Sequence, residues 1–410
     1  LMAHVLVAGG GIGGLSAALA CARLGAQVSV FERSAVFSEF GAGIQLGPNV
    51  MRVLHHWGLK DALNRVVAFP DRLQVRSAMT CAELGALRLG AYMVQRYGAP
   101  YATIRRADLH QLLVHTLHGR DEVMLCLDRS VAGVRQVGAG VTVQLTNAQT
   151  AQGDLLVAAD GGWSVLRQQL LKDGTPQPTG HLAYRAMVLQ SSLPPTLRSQ
   201  RVTAWLGPKL HVVQYPVAGG DYLNVVAIVH GKVQGDMSHW DHSANAQDLR
   251  LAMAGTCAQL RDLIHAIDPW RLWPLSIRPP MQGAHEQANG RVALLGDAAH
   301  PMVPYLAQGA AMAIEDAQTL AQMLANAGVL AAGPNAKVLD GIPDLLHNYA
   351  SQRWPRNAHV QARALRNGEI FHATGVTSWG RNAAMRLLGE RLLDVPWLYA
   401  GGPLPVAADG

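Results

Sequence analysis

The chain has 410 residues, 49% hydrophobic and 15% charged, enough to bury one large core or two ordinary ones and too apolar for extended disorder. Its net charge is +6, yet the 34 basic residues never form a run of five, which argues against a nucleic-acid partner. Four scattered cysteines without a CxxC pair, no metal-ligand spacing and no apolar run near the roughly 18–20 residues of a membrane span speak against a disulfide framework, a metal centre and a membrane span.

Val5 to Ala8 is a short apolar run closed by glycines and reads as a buried parallel strand. The cluster Gly9-Gly10-Gly11-Ile12-Gly13-Gly14 then satisfies GxGxxG as Gly9, Gly11 and Gly14. Ser16 to Leu24 reads as a helix stopped by Gly25, and Gln27 to Glu32 (QVSVFE) as a second strand, completing a βαβ unit. In such a unit the first glycine makes a tight turn and the second admits a pyrophosphate against the backbone. The third lets the helix pack close to the sheet, and the helix N-terminus favours the phosphate charge. Glu32 is placed to accept from a ribose hydroxyl, and Arg33 beside it is a further nucleotide contact or a solvated cation. The opening twenty residues imitate a secretion signal in apolarity, but they lack a basic start and carry five glycines in six positions. Secretion is therefore not expected, and a reducing cytoplasm is the expected setting.

Further along, Asp108 to Leu117 reads as a helix, Gly140 to Leu145 as a strand, and Leu155 to Ala159 as a buried strand ending at Asp160. From about His181 to His230 the texture changes to successive strands, LAYRAMVLQ, RVTAWLG, LHVVQYPV and YLNVVAIVHG, punctuated by proline and glycine. The α/β pattern returns at Arg291 to Leu295, stops at Gly296-Asp297, and gives way to helices from Gly309 onward. The expected fold class is α/β. Its dinucleotide-binding domain takes 2–70, 101–175 and 285–364, interleaved with a β-sheet domain over 71–100 and 176–284 and followed by a helical segment over 365–410. Three acid-tipped strands returning to one architecture, without a second GxGxxG, argue against a simple nicotinamide dehydrogenase and against the disulfide-reductase type of flavoenzyme.

At this point the chain resembles the group A flavoprotein aromatic hydroxylases. The resemblance rests on Gly9 to Glu32, on DGxxSxxR (Asp160, Gly161, Ser164, Arg167), and on Gly296-Asp297 followed by His300-Pro301. It extends to GAGIQLGPN (Gly41 to Asn49), YATIRRADLH (Tyr101 to His110) and AQGAAMAIEDA (Ala307 to Ala317). It implies a Rossmann-like FAD-binding domain of the glutathione-reductase type. It implies further that Asp297 and Arg106 bind the ribityl chain, and that the Asp160 segment serves the FAD pyrophosphate and a transient nicotinamide. The backbone N–H groups of Gly309 and Ala310 would then face the flavin ring, where a helix N-terminus stabilises negative charge on the reduced cofactor. The implied activity is hydroxylation of a phenolic aromatic acid through a flavin C4a-hydroperoxide, using O2 and either NADH or NADPH, with relatives pointing to a homodimer.

The run WLGPKLHVVQYPV (Trp205 to Val217) is similar to the branch acting on 3-hydroxybenzoate, 6-hydroxynicotinate and salicylate, and the first is the expected substrate. His211 and Tyr215, four apart on a strand, share a face about 13 Å apart at their Cα atoms. The resemblance makes His211 the base that ionises the phenol and Tyr215 its orienting partner, roles that suit a side chain titrating near neutrality. Gln45, Tyr305 and Gln308 are the expected further substrate contacts. Pro304 stands where the 3-hydroxybenzoate branch carries a glutamine, as it does in the 6-hydroxynicotinate branch, whereas Gln45 stands where that second branch has a histidine. His55, His56, His115 and His118 have no acidic partners at metal spacing. The reading from another class is a FAD-binding redox sensor without oxygenase activity.

Overall fold

The structure, a computed structural model, describes residues 2–37, 42–233, 243 and 246–406. Gly41, the first residue of one quoted motif, lies outside the described residues. The chain divides into two compact units, one of 1–39, 109–177 and 277–364, the other of 40–108, 178–276 and 365–410. Compactness thus groups 40–70, 101–108 and the C-terminal helices with the sheet domain, where the order of motifs led us to expect the first two with the nucleotide domain and the last apart.

The first unit is built on a six-stranded sheet. Its order runs Ala288–Asn289, Val292–Leu294, Leu155–Ala158, His4–Ala8, Gln27–Phe31, Val123–Cys126. All neighbours are parallel except the first pair. The central strands of this sheet are short and mostly apolar because both faces are covered. A three-stranded antiparallel sheet, Val131–Val137, Gly140–Leu145 and Thr150–Gly153, closes one face through Val134, Val141, Val143 and Leu145, which share a core with Leu6, Leu156, Val292 and Leu294. The helix Ile12–Ala22 packs against the helix Gly309–Asn326.

The second unit is built on a seven-stranded sheet. Its order runs Arg271–Ile277, Gln177–Leu189, Tyr222–His230, Leu210–Val217, Val202–Gly207, Arg72–Ser77, Glu83–Arg88. Period-2 alternation divides it cleanly. Leu182, Tyr184, Ala186, Leu223, Val225, Ala227, Leu210, Val212 and Trp205 point to one face, where the helices Ala246–Ala252 and Ala258–His265 cover them with Leu249, Leu260, Leu263 and Ile264. Thr203 and Gln214 lie on this face too, Gln214 accepting from Trp205 Nε1 at 3.0 Å. The other face carries His211, Tyr215, Arg185 and Asn224 among Ala183, Val213, Val226 and Ile228.

One expectation is overturned. Cys81 and Cys257 are joined by a disulfide, 176 residues apart in sequence and 5.8 Å apart at Cα. The turn after Arg72–Ser77 and the N-cap of the helix Ala258–His265 meet only in the folded sheet domain, as the bond from Cys257 N–H to the Ala78 carbonyl shows. Cysteine spacing could not reveal the pair, and it lends no support to a reducing compartment. Among the described residues no helix is long and apolar enough to cross a membrane.

Candidate active site

Four motif-bearing strand ends are consecutive neighbours in the first unit's sheet. Val292–Leu294 leads to Asp297, Leu155–Ala158 to Asp160, His4–Ala8 to Gly9, and Gln27–Phe31 to Glu32. They are the C-terminal ends of parallel strands, the edge where open α/β sheets bind ligands. Gly9 has a φ of +106°, and a Cβ there would sit 2.2 Å from the Ala159 carbonyl oxygen. A Cβ on Gly14 would sit 1.9 Å from the Gly9 carbonyl oxygen, so these two glycines are required by packing. Gly11 is different: nothing lies within 4 Å of the position its Cβ would take. Gly309, the first residue of the 18-residue helix, also faces open space. Two helix N-termini with open glycines make a cradle for anionic and electron-rich groups.

Glu32 accepts hydrogen bonds from the N–H groups of Gly10 at 2.7 Å and Ser34 at 2.8 Å, fixing the glycine loop while leaving further lone pairs for a ribose. His110 donates from Nε2 to the Gly10 carbonyl at 2.7 Å, a buttress the sequence reading did not single out although it lies in the quoted YATIRRADLH segment. Asp297 is exposed and makes no hydrogen bond or ion pair among the described residues. Arg33 is exposed. Asp160 is engaged within its own segment: it accepts from Ser164 Oγ at 2.5 Å and from the Leu166 N–H at 3.2 Å. Burial raises its carboxyl above the usual range, against the hydrogen bonds that lower it. The buried Arg167 then donates to the Ala299 carbonyl at 2.5 Å and pairs with Asp173 and Glu286, tying this turn to the Asp297 loop.

A buried polar network beneath that loop also escaped the sequence reading. Asp316 accepts from Arg353 Nε at 2.7 Å and lies 2.5 Å from His300 Nε2, while Glu315 takes Arg353 and Arg356. The signal was present as two adjacent acids inside the apolar helix AQGAAMAIEDA. Tyr305 and Gln308 are buried beside the start of the same helix, and Ala310 follows Gly309 in its first turn. Pro304 is exposed.

In the second unit, Gln45 and Arg106 join His211 and Tyr215. Pairing registers place Ala183, Ile228 and His211 in one row across the sheet, Arg185, Val226 and Val213 in the next, and Met187, Asn224 and Tyr215 in the third. His211 is buried, and its imidazole is held well below its ordinary titration range by desolvation first and then by neighbouring imidazoles. Desolvation pushes the Tyr215 phenol up, so it stays a donor. Gln45 accepts from the Tyr101 hydroxyl at 2.6 Å, and Asn224 accepts from the Gly43 N–H at 2.8 Å. Arg106 opens the helix Arg106–His118, its N–H donating to the Ala42 carbonyl at 2.7 Å.

This face holds two donors without partners among the described residues: Arg185 Nε and Asn224 Nδ2. Arg185 stacks over the Trp273 ring at 4.9 Å and makes no ion pair among them; desolvation lowers its pKa. The sequence reading passed over it, though an arginine inside the apolar strand LAYRAMVLQ was the signal. No spacing in the sequence gathers histidines, yet the ring nitrogens of His181, His230 and His372 lie within 4.8 Å of one another.

Comparison with known proteins agrees with this geometry. Residues 2–364 match the FAD binding domain family. The chain is 34% identical over 398 residues to a 3-hydroxybenzoate 6-hydroxylase from Polaromonas naphthalenivorans, covering 96% of this chain and 95% of that one. It is 36% identical over 328 residues to a 6-hydroxynicotinate 3-monooxygenase from Bordetella bronchiseptica, covering 80% and 84% respectively. A crystal structure of a Klebsiella pneumoniae HpxO variant complexed with FAD superposes with a TM-score of 0.82 at 26% identity, covering 98% of this chain and 99% of that one. With open glycines at two helix N-termini, an exposed Asp297 at a strand end and these relatives, the chain belongs to the FAD-binding family of flavin-dependent aromatic monooxygenases.

Proposed function

We propose that the chain hydroxylates 3-hydroxybenzoate to gentisate. The observation that carries this reading is one sheet face: a buried neutral imidazole, His211, shares it with a protonated phenol, Tyr215, and with two donors, Arg185 Nε and Asn224 Nδ2, that have no partner among the described residues. A phenolic carboxylate answers His211, Tyr215 and Arg185. Its anionic group pairs with the Arg185 guanidinium, which has no acid partner among the described residues. Its hydroxyl gives a proton to His211, and the resulting phenolate oxygen accepts from Tyr215, which raises electron density on the ring carbons.

FAD, when bound, would accept two electrons from NADH or NADPH and activate O2. The residues of the first unit hold it: Gly11 and the helix behind it the pyrophosphate, Glu32 the ribose, Asp297 the ribityl chain, and the first turn of the Gly309 helix the flavin. The Asp160 segment, braced by Ser164 and Arg167, serves the FAD pyrophosphate and a transient nicotinamide. Arg33 and Arg106 are further contacts to the cofactor, and Gln45, Tyr305 and Gln308 to the substrate. We read the first unit as the FAD-binding domain, the second as the substrate domain, and the working enzyme as a cytoplasmic homodimer, which light scattering checks.

A second reading, 6-hydroxynicotinate as substrate, is favoured by Pro304, which offers no side-chain hydrogen bond where a glutamine would. The test is a screen of hydroxybenzoates and hydroxynicotinates for stimulated NADH and NADPH oxidation, with products identified by mass and chromatography. Gentisate formation supports the reading, a hydroxylated product formed preferentially from 6-hydroxynicotinate moves it to the second, and a flat oxidation rate across the panel sinks both.

A further inference from the structure

The base His211 is 2% exposed, so the proton it takes from a phenol needs a route out. Two successive imidazole–imidazole hydrogen bonds lead away from it. His211 Nδ1 lies 2.6 Å from His372 Nε2, and His372 Nδ1 lies 3.0 Å from His230 Nε2. The series runs from buried to exposed: His211 and His372 are buried, and His230 is on the surface. The backbone holds the series in place. The Lys209 N–H donates to the His372 carbonyl at 3.2 Å, and the His230 N–H donates to the Lys209 carbonyl at 3.3 Å. Phe371 packs edge-on against His211 at 5.3 Å, and Arg381 anchors the Phe371 carbonyl at 2.9 Å. The His181 ring stacks on His230 at 4.5 Å.

We propose that His372 and His230 form a proton relay that carries the substrate's phenolic proton from His211 to solvent. The inference rests on the reading of His211 as the phenol base. The phenol O–H bond breaks as its proton bonds to His211 Nε2, and the Nδ1 proton of His211 passes to His372 Nε2. The Nδ1 proton of His372 passes to His230 Nε2, and the Nδ1 proton of His230 goes to water. One phenolate remains, one hydronium leaves, and all three imidazoles end neutral in the other tautomer. Running backward, the same chain reprotonates the product phenolate and resets the tautomers. Desolvation, mutual repulsion and the neighbouring Lys209 and Arg381 charges all disfavour an imidazolium here, so the proton is passed on rather than stored. His372 and His230 touch no substrate; they are positioning residues acting through His211.

The experiment mixes 3-hydroxybenzoate rapidly with oxidised holoenzyme in weak buffer and follows proton release with a pH indicator, beside steady-state hydroxylation. H372Q and H230Q are expected to keep flavin content and substrate affinity. Both should slow proton release and kcat at least about tenfold, the scale of a lost proton-transfer step, and added imidazole should restore the rate. Wild-type release rates in both variants, with release lost in H211Q, would overturn the relay and leave the base reading intact. Normal ionisation and hydroxylation in H211Q would remove the base reading and the relay with it. A slow H372Q or H230Q that imidazole does not rescue would show a structural role only and equally overturn the relay. Should H372Q fail to fold, the surface variant H230Q carries the same test alone.

Discussion

Asp316 Oδ2 lies 2.5 Å from His300 Nε2, with both side chains fully buried beneath the Asp297 loop. Burial alone would raise the Asp316 carboxyl, but His300, Arg353 and the hydrogen bonds they share outweigh it and hold it well below the usual carboxylate range. Asp316→Asn leaves Arg353 with Glu315 as its remaining acid partner and removes the charge facing His300. Breaking a buried pair from one side costs about 3 kcal/mol or more, which urea unfolding of the apoprotein reads directly. A depressed folded pKa gives stability that is present above the ordinary carboxylate range and lost as pH falls through the folded value. A wild-type–minus–Asp316→Asn stability difference that does not shrink in acid would contradict this assignment.

Gly11 and Gly14 lie in one motif and predict opposite phenotypes. A Cβ at Gly14 collides with the Gly9 backbone, whereas one at Gly11 meets nothing within 4 Å and its φ of −76° suits alanine. Gly14→Ala should lower the melting temperature of the apoprotein. Gly11→Ala should melt like wild type without FAD and weaken FAD binding at least about tenfold, or ~1.4 kcal/mol, because the methyl occupies the space of the pyrophosphate. Fluorescence titration of apoprotein with FAD distinguishes them.

What was legible in the sequence follows the range of each interaction. The Gly9–Glu32 unit, Asp297 and the open start of the Gly309 helix are local: a strand end, a turn and a helix N-terminus written within a few residues. The shared face of His211 and Tyr215 follows from the two-residue period of a strand. His372 could not be read, because the bond joining it to His211 spans 161 residues and runs between a strand and the segment after a helix. The Cys81–Cys257 bond and the Arg353–Asp316 pair were hidden in the same way, since no periodicity records which distant segments meet. Arg185 was visible as a residue but not as a site, because having no acid partner among the described residues is a property of the folded sheet face.

Arg185 should trade stability for affinity. Its guanidinium is largely desolvated and carries no acid partner among the described residues, so removing the charge relieves a cost to folding. Arg185→Met is expected to melt at or above the wild-type temperature. Its KM for 3-hydroxybenzoate should rise by about tenfold or more, since a charge-assisted hydrogen bond is worth roughly 1.5–3 kcal/mol. The uncharged 3-hydroxybenzamide should bind both forms with similar affinity. An equal loss for acid and amide would show that Arg185 shapes the face without meeting the carboxylate.

The imidazole cluster also predicts how the fold responds to acid. Desolvation first, then His181, His230 and Arg381, pushes the His372 imidazole down to about 3, and His181, His211 and His230 are lowered as well. Below the ordinary histidine value near 6.5 the unfolded chain takes up protons that the folded cluster refuses, so stability falls as pH falls. For His372 alone the loss between neutrality and pH 5 is about 2 kcal/mol. Urea midpoints should therefore drop from pH 7 to pH 5, and H372Q should flatten part of that slope. Over the same interval the pH profile of kcat/KM should show no acid limb at the ordinary histidine value, because His211 remains a neutral base there. A limb near pH 6.5 that vanishes in H211Q would mean that the imidazole titrates as if in water, and that the sheet face is wetter than its burial indicates.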